Sequence, residues 1–467
     1  MKYLTAIYSA IIWGSGQFLN RQKTKAFILF ALQIIFISIE LLSWQAWRSA
    51  ARLTAYRMEL AELTGNFNLG IFLQAMGEQL GVIHNYGFFI RGLWGLVTLG
   101  TIPRTPGAVI FDHSIMLMLG GIIAVVVLLL FGAIWIWNIR DAYKTRIQLD
   151  NGVYVSSALY FRNLWKNSFE YIMVAPGALL VIFISLVPIV FSILVAFTNY
   201  NANNIPPRRL IEWTGFETFQ NIFAIRIWGS TFVRIFLWTV TWAFLATFSA
   251  YAFGMLQALI LRSKVVVFRS FWRAIFILPW AVPGIVSILV FRVMLNHEGA
   301  FNQMLLQAGI INQAIPFLSN VFWARLSLIL VNVWLGFPFF MILISGVMTT
   351  IPQEQYEAAQ IDGANIFQQF RSITLPFILT ATAPQILMSI TFNFNNFNLI
   401  YFLTGGGPPS PDLQMAGSTD ILISWIFRLT LNHRMYNYAA AFSIMIFIVI
   451  ATVSAWNLLR TRAFKEK

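Results

Sequence analysis

Eight long apolar segments constrain the fold of this chain more strongly than any other feature of its sequence. A helix that spans a lipid bilayer needs about 20 predominantly apolar residues. The segments that approach or exceed this length are 26–42, 115–137, 171–197, 236–261, 271–295, 326–348, 377–402 and 438–459. The stretch 87–102 is also apolar, but Arg91 and several glycines interrupt it, so we expect it to be interfacial or re-entrant. The sequence predicts an all-α integral membrane protein with eight transmembrane helices.

The composition supports this class and excludes several others. Hydrophobic residues make up 58% of the chain and charged residues 10%, whereas soluble domains carry about 25% charged residues. Cysteine is absent, which excludes disulfides, thiol nucleophiles and cysteine-based metal sites. The four histidines are too far apart for a ligand pair at helical spacing. The net charge of +14 is typical of basic residues that flank spans and meet anionic membrane lipid, so we expect no nucleic-acid partner.

The lysine positions predict the orientation in the membrane. With eight spans and the N-terminus inside, every lysine is cytoplasmic, as the positive-inside rule requires. These residues are Lys2, Lys23, Lys25, Lys144, Lys166, Lys264, Lys465 and Lys467. We do not expect a cleaved signal peptide, because Lys23 and Lys25 directly precede a full-length span without a small-residue cleavage site. The prediction is a multi-pass protein of the plasma membrane with both termini in the cytoplasm.

A division near residue 170 organises the predicted spans. Region 1–170 would hold two spans, at about 26–42 and 115–137, and an outer cap over 43–112. Region 171–467 would hold six spans joined by short loops. Residues 1–25 are amphipathic and contain a polar, turn-prone patch before the first span. The patch consists of Gly14, Gly16, Gln17 and Asn20.

A polar loop over 349–376 separates the sixth and seventh predicted spans and carries helix signals. Pro352 suits a first helical turn, and Glu354 and Glu357 place negative charge where the helix dipole favours it. Gly363 follows at a natural stop. The pattern predicts a short helix at the membrane surface that docks into a partner.

Two stripes of neutral polar and aromatic residues lie in the spans that flank this loop. Each has residues spaced by four and three, which share one helical face. They are Asn332, Gly336 and Phe339 in the sixth span, and Ser389, Asn393 and Asn396 in the seventh. Such residues either hold helices together or line a path for a neutral polyhydroxyl solute, and we favour the path. The spans contain almost no buried ionisable residue, which argues against ion-driven transport.

The loop motif resembles that of the membrane subunits of ATP-binding-cassette (ABC) importers. The matching residues are Glu357-Ala358-Ala359, Asp362-Gly363-Ala364, Ile373, Leu375 and Pro376. Together with the outer sequence Leu403-Thr404-Gly405-Gly406-Gly407-Pro408, they are similar to the sugar-permease branch of that family, and eight spans are similar to its MalF-type large subunits. The resemblance covers about residues 170–460. It implies a prokaryotic type I importer permease fold with a six-helix core and two extra N-terminal spans.

The resemblance also implies roles for particular residues. Coupling to an ATPase would involve Glu357, Ala358, Ala359, Asp362 and Gly363. Sugar contacts would come from Asn332, Leu335, Gly336, Phe339, Ser389, Asn393 and Asn396. Phe339 departs from a tyrosine-like ring of the maltose permeases, which weakens the match to maltose itself.

The resemblance implies three partners. They are a second, MalG-like permease, a homodimeric, MalK-like cytoplasmic ATPase and an extracellular, MalE-like sugar-binding protein. The sequence has no Gly-x-x-x-x-Gly-Lys-Ser/Thr motif, so ATP and magnesium would be bound by the ATPase and this chain would hold no cofactor.

The expected function is therefore transport of a maltodextrin-like oligosaccharide without catalysis by this chain. The alternatives are a permease for another neutral or polar solute, such as a different sugar or a glycerol derivative, a stand-alone carrier or channel, and a membrane-embedded enzyme. No cluster of histidine, cysteine and aspartate supports the enzyme.

Overall fold

The computed structural model describes residues 1–61, 68–80, 83–106, 111–263 and 265–460, and the regular elements in these ranges are helices. Among them, six helices are long and apolar enough to cross a membrane, and a bent helix pair is a seventh candidate. The predicted all-α membrane class is therefore confirmed. The chain divides into two compact units, Met1–Thr218 and Phe219–Lys467. The expected functional boundary near residue 170 stays a prediction.

The first unit is built on three candidate spans. These are α3, α7 and the continuous stretch Ser157–Val195, in which a π-helical turn at Ile182–Leu186 joins α8 to α9. The helices of this unit are α1 (Lys2–Ile11), α2 (Ser15–Leu19), α3 (Lys23–Ser43), α4 (Ala46–Leu60), α5 (Leu69–Leu80), α6 (Phe88–Thr98), α7 (Ser114–Asp150), α8 (Ser157–Val181) and α9 (Val187–Val195).

The segment predicted as an outer cap contains three of these helices. Helices α4 and α5 share a small core of Ala46, Ala50, Ala75 and Met76. Helix α6 has 11 residues and a length of about 17 Å, which is too short to span a bilayer. It packs on α7 through close glycine contacts, since a Cβ on Gly121 would lie 2.5 Å from the Cβ of Leu96. The outer location of the cap stays a prediction.

A buried ion pair ties α3 to α7. The Nζ of Lys25 lies 2.6 Å from Oδ1 of Asp141, and the two side chains are 2% and 12% exposed. The Tyr160 ring centroid lies 3.4 Å from the same ammonium, and Gln17 Nε2 donates to Asp141 Oδ2 at 3.0 Å. The buried charge of Lys25 thus faces one carboxylate and the aromatic rings of Trp137 and Tyr160.

Breaking this ion pair should destabilise the first unit strongly. Asp141→Ala leaves a buried, unpaired ammonium, which costs about 3 kcal/mol of unfolding free energy. Glu78→Ala is the matched control, because it breaks the exposed Arg57–Glu78 pair and should cost below about 1 kcal/mol. Thermal unfolding of the purified chain in detergent measures both. Equal losses of stability in the two variants would contradict the assignment.

The second unit packs around three long helices, α11, α15 and α18. Tyr251 on α11 and Thr382 on α18 share a buried hydrogen bond of 2.9 Å between their hydroxyls. Gly254 allows α15 to approach α11, since a Cβ there would lie 2.8 Å from the carbonyl oxygen of Phe337. The boundary between the two units falls in α10 (Glu217–Ala224). The helices after it are α11 (Arg226–Arg262), α12 (Arg269–Ala281), α13 (Gly284–Met294), α14 (Ala300–Gln307), α15 (Val321–Thr349), α16 (Gln353–Ile361), α17 (Ile366–Gln369), α18 (Leu375–Phe394), α19 (Phe397–Thr404), α20 (Leu422–Leu431) and α21 (Tyr436–Arg460).

Two of the predicted spans are broken helices. The fifth predicted span is bent, because α12 and α13 meet at an angle of 89° next to Pro283. The seventh span, predicted as one helix over 377–402, is corrected to α18 and α19, which are separated at Asn395 and Asn396. Helix α15, by contrast, continues through Pro338.

The glycine- and proline-rich loop between α19 and α20 is non-helical. It begins at Gly405, which has a φ of +60°, and ends before α20. Asp420 anchors the loop by accepting hydrogen bonds from Gly417 N at 2.7 Å and Ser424 Oγ at 2.8 Å. Burial raises the pKa of this carboxyl, although the nearby Arg428 guanidinium opposes the shift.

Part of the predicted topology lies outside the described residues. Lys264, Lys465 and Lys467, which contribute to the predicted orientation, are among these residues, as is the chain end expected in the cytoplasm. The predicted inside location of both ends stays a prediction.

Candidate functional site

A cavity of about 900 Å³ lies within the second unit, beside the bend of α12 and α13, the middle of α15 and the break between α18 and α19. The seven residues predicted to contact sugar all line it. They are Asn332, Leu335, Gly336, Phe339, Ser389, Asn393 and Asn396. The structure therefore brings the two predicted stripes together at one space, because α15 and α18 both pack on α11 and turn these faces toward each other.

Two asparagines in the stripes also hold helices together. Asn332 Nδ2 donates to the carbonyl oxygen of Ala246 at 3.0 Å, and Asn393 Nδ2 donates to Thr247 Oγ1 at 2.9 Å. Trp242 Nε1 donates to the carbonyl oxygen of Asn393 at 3.0 Å. Both amides are more than nine-tenths buried. Asn332 and Asn393 therefore do both: each holds two helices together and lines the cavity.

Asn396 lines the cavity from the break after α18, and not from the helical face that its spacing predicts. It is the N-cap of α19, and its Oδ1 accepts from Leu399 N at 3.3 Å. Its Nδ2 donates to Asn393 Oδ1 at 3.4 Å. A helix break at membrane depth is tolerated where it lines a cavity, since the freed backbone groups would otherwise face lipid without partners.

Trp280 is a lining residue that the sequence analysis missed. Its side chain is 50% exposed, and its ring lies 6.3 Å from the Phe339 ring at an interplanar angle of 31°. Its Nε1 donates to the carbonyl oxygen of Leu335 at 3.3 Å. The available signal was its position between Pro279 and Pro283, at the bend of a span. These two rings form an aromatic wall of the cavity, which we call the Trp280–Phe339 wall.

Gln385 is a second lining residue that was missed. It lies one helical turn before Ser389, so it extends the stripe on α18 at the same spacing of four. Its Oε1 is buried and has no hydrogen-bond partner among the described residues. A buried acceptor without a partner is uncommon, and a ligand hydroxyl would satisfy it.

The described lining of the cavity is neutral. It contains amides, a hydroxyl, aromatic rings and aliphatic groups, and none of these lining residues is Asp, Glu, Lys, Arg or His. Polar groups that both donate and accept, set among apolar walls, suit an uncharged ligand with many hydroxyls.

The predicted docking helix is present as α16. Pro352 precedes it and Glu354 lies in its first turn. Tyr356 is buried, and its hydroxyl lies 2.8 Å from Thr374 Oγ1 and accepts from Arg262 Nη1 at 3.3 Å. These contacts fix α16 to α11 and to the π-helical turn Phe370–Thr374, which follows α17. The sequence analysis assigned no contact to Tyr356 or to its partner Arg262.

The residues predicted to couple to an ATPase lie on or just after α16. Glu357, Ala358, Asp362 and Gly363 are exposed and Ala359 is partly exposed, so they are available for contact. Gly363 has a φ of +79° and ends the helix, as predicted.

Apolar side chains extend the exposed surface around α16. Ile361 and Ile366 are each 87% exposed, and Phe367 is 67% exposed. Asn365 starts α17 with a capping box, which fixes the position of the last two residues. Polar and apolar residues thus form one exposed surface, Gln353–Phe367, which we call the docking surface.

Comparisons with known proteins agree on one family. Residues 250–462 match the model of the binding-protein-dependent transport system inner membrane component. The galactooligosaccharides transport system permease protein GanP of Bacillus subtilis (strain 168) is 41% identical over 379 residues, which cover 80% of this chain and 88% of GanP. The maltodextrin transport system permease protein MdxF of the same organism is 37% identical over 388 residues, which cover 81% of this chain and 87% of MdxF.

A solved structure supports the fold. A chain of a bacterial alginate ABC transporter, solved in complex with an alginate pentasaccharide-bound periplasmic protein, superimposes with a TM-score of 0.51. The match covers 66% of this chain and 98% of that chain at 21% identity. At this identity the likeness concerns the fold alone.

Proposed function

The chain belongs to the family of binding-protein-dependent transport system inner membrane components, and from this premise we propose that it is the membrane permease subunit of an ATP-driven oligosaccharide importer. It is a transport subunit rather than an enzyme. The cavity beside α12, α13, α15, α18 and α19 would form the translocation pathway within this subunit.

The observation that carries the proposal is the neutral, amide- and aromatic-lined cavity. Asn393, Ser389 and Gln385 offer hydrogen-bonding groups along one side of it. The Trp280–Phe339 wall offers rings that can stack on the apolar faces of sugar rings. The relatives GanP and MdxF are named for galactooligosaccharides and maltodextrins, and both ligands are neutral oligosaccharides. We infer the same class here, with a maltodextrin-like chain as the leading candidate.

The energy for transport would come from a separate ATPase. This sequence has no P-loop, so ATP and magnesium would be bound by a cytoplasmic, MalK-like homodimer. The docking surface would seat in a cleft of one ATPase subunit, with Glu357 offering a charge-assisted contact and Ala358 and Ala359 allowing close approach. Closure of the ATPase pair would then move α16 and change the side of the membrane to which the cavity opens.

The other subunits follow from the same proposal. A second, MalG-like permease would complete the pathway, and an extracellular, MalE-like binding protein would deliver the sugar. The periplasmic protein in the alginate transporter complex supports such delivery in a protein of the same fold.

We propose eight spans with both termini in the cytoplasm of a prokaryotic cell. The six long candidates and the bent pair α12–α13 account for seven. Helix α21 would be the eighth, because the predicted segment 438–459 lies within its 25 residues. This count keeps the lysines on one side of the membrane.

An uptake assay tests the proposed substrate class. Vesicles that contain the assembled transporter and its binding protein should take up a labelled neutral oligosaccharide only when ATP is supplied. Ser389→Ala should lower this uptake about fivefold without loss of assembly. The hydroxyl makes no packing hydrogen bond among the described residues, and one neutral ligand hydrogen bond is worth about 1 kcal/mol. Uptake of charged solutes alone, or uptake independent of ATP, would contradict the proposal.

A further inference from the structure

Residues 1–22 form a helical hairpin whose polarity is inverted relative to a water-soluble helix pair. Helix α1 turns at Gly14, which has a φ of +85°, into α2. Its inner face is polar, since Thr5 and Ser9 are at most 2% exposed. Its outer face is apolar, and the exposed fractions rise from 52% at Leu4 and 57% at Ile7 to 68% at Ile11. Helix α2 continues the exposed apolar surface with Phe18 and Leu19.

The polar inner face is bound to one position of α7. Asn138 Oδ1 accepts from Gly14 N at 3.2 Å, and Asn138 Nδ2 donates to the carbonyl oxygen of Ser9 at 2.7 Å. Gln17 Nε2 donates to the carbonyl oxygen of Asn138 at 2.9 Å, and Ser9 Oγ donates to Gln17 Oε1 at 2.9 Å. Ser9, Gln17 and Asn138 therefore pair with one another or with backbone groups. Ser15 Oγ, Asn20 Oδ1 and Gln22 Oε1 are buried without a hydrogen-bond partner among the described residues. Hydrogen bonds of this kind are what a hairpin surrounded by hydrocarbon needs.

The tip of the hairpin reaches the middle of α3. Trp13 N donates to Gln33 Oε1 at 2.9 Å, and Gln33 Nε2 donates to the carbonyl oxygen of Ile11 at 3.0 Å. Helix α3 has 21 residues, and Gln33 lies about 15 Å from its Lys23 end. Since α3 crosses a hydrocarbon core of about 30 Å, Gln33 lies near the midplane. The tip is therefore at membrane depth.

Both ends of the hairpin lie at the polar end of α7. The Lys2 ammonium lies 5.8 Å from the Tyr143 ring centroid, and Tyr154 OH donates to the carbonyl oxygen of Arg21 at 3.3 Å. The ten residues of α1 rise about 15 Å, which equals the depth of Gln33. Gly14 itself lies against the backbone of Ala26, near the Lys23 end of α3. The chain thus enters from one surface, turns between the levels of Ala26 and Gln33 within one leaflet, and leaves by the same surface.

We propose that residues 1–22 are a re-entrant hairpin that packs its apolar face against the lipid acyl chains of a single leaflet. In the predicted orientation this is the cytoplasmic leaflet. The contact surface is formed by Leu4, Ile7, Ile11, Phe18 and Leu19, and it continues the lipid-facing surface of the candidate spans α3 and α7. The basic side chains of Lys2 and Arg21 at its two ends are placed where lipid headgroups carry negative charge. The hairpin does not depend on the identity of the transported solute.

A depth series of spin labels tests this inference on the full chain, purified with its partner subunits and placed in lipid vesicles. The chain has no cysteine, so Leu4→Cys, Ile7→Cys and Ile11→Cys can be labelled singly without background. Collisions with oxygen, which partitions into the membrane, should increase along this series. Collisions with a water-soluble nickel chelate should decrease, because Ile11 lies about 10 Å deeper than Leu4. Phe18→Cys, on the returning helix, should be protected from nickel as well.

A label at Asn151→Cys, in the exposed turn after α7, is the aqueous control. Equal depths at the three α1 positions would indicate a helix lying flat on the membrane and would overturn the inference. Nickel accessibility at Ile11→Cys equal to that of the control would place the hairpin in water. Low collision rates with both reagents would mean that protein, not lipid, covers the face. Sugar uptake by the same variants is scored separately, so failure of the hairpin and failure of the transport proposal are distinguishable.

Discussion

Replacing Gly363 with proline is expected to reduce ATP-driven uptake about 100-fold while the chain still inserts in the membrane. Gly363 has a φ of +79°, whereas proline fixes φ near −65°. Proline also removes the hydrogen bond from Gly363 N to the carbonyl oxygen of Gln360. A penalty of about 3 kcal/mol on the docked geometry corresponds to this factor. Because the residue is exposed in the turn between α16 and α17 and lies outside the candidate spans, insertion should not change.

Gly363→Asn is the matched control for this prediction. Asparagine adopts the left-handed backbone conformation more readily than other non-glycine residues. A Cβ at this position meets no atom within 4 Å, so size alone should not matter. Uptake and ATP hydrolysis by the reconstituted transporter, together with the amount of inserted chain, are the measurements. Normal uptake in the proline variant would show that the docking surface does not transmit the motion.

The elements that sequence predicts well here are those set by local rules. The helix α16 follows from Pro352, Glu354 and Gly363, which act within one or two turns. Asn332, Gly336 and Phe339 of α15 line the cavity together because residues three and four apart lie on one helical face. These rules need no knowledge of which helices are neighbours.

The features that sequence did not predict depend on neighbouring helices. The break at Asn395 is stable because Asn396 caps α19 and because the cavity adjoins the break. The hydropathy of the sequence indicates neither of these features. In the sequence Trp280 is one apolar residue of an apolar span, and only the bend between α12 and α13 places its ring beside Phe339. The hairpin of α1 and α2 was evident only as an amphipathic stretch, because its polar face is explained by Asn138, which lies far along the chain.

Removal of the Trp280 side chain is expected to raise the KM for sugar uptake about tenfold. The ring is half exposed to the cavity and forms a wall with Phe339. Loss of an aromatic contact with the apolar face of a sugar ring costs on the order of 1.5 kcal/mol, which is about a factor of ten in affinity. Trp280→Phe keeps a ring while losing the hydrogen bond to Leu335, so its KM should rise less. Initial uptake rates over a range of oligosaccharide concentrations give KM and the maximal rate.

Trp272→Ala separates sugar contact from helix packing. Trp272 lies on the same helix α12 with a similar exposure, 43% against 50%, but it is not among the residues that line the cavity. If the Trp280 ring touches sugar, only Trp280→Ala should raise KM, and the amount of assembled transporter should be equal in both variants. If both substitutions lower the maximal rate and leave KM unchanged, the ring acts by supporting the bend of α12 and α13. Because a contact made equally in the bound state and the transport transition state changes KM alone, the ratio of the two parameters decides whether the wall binds sugar or holds the helix.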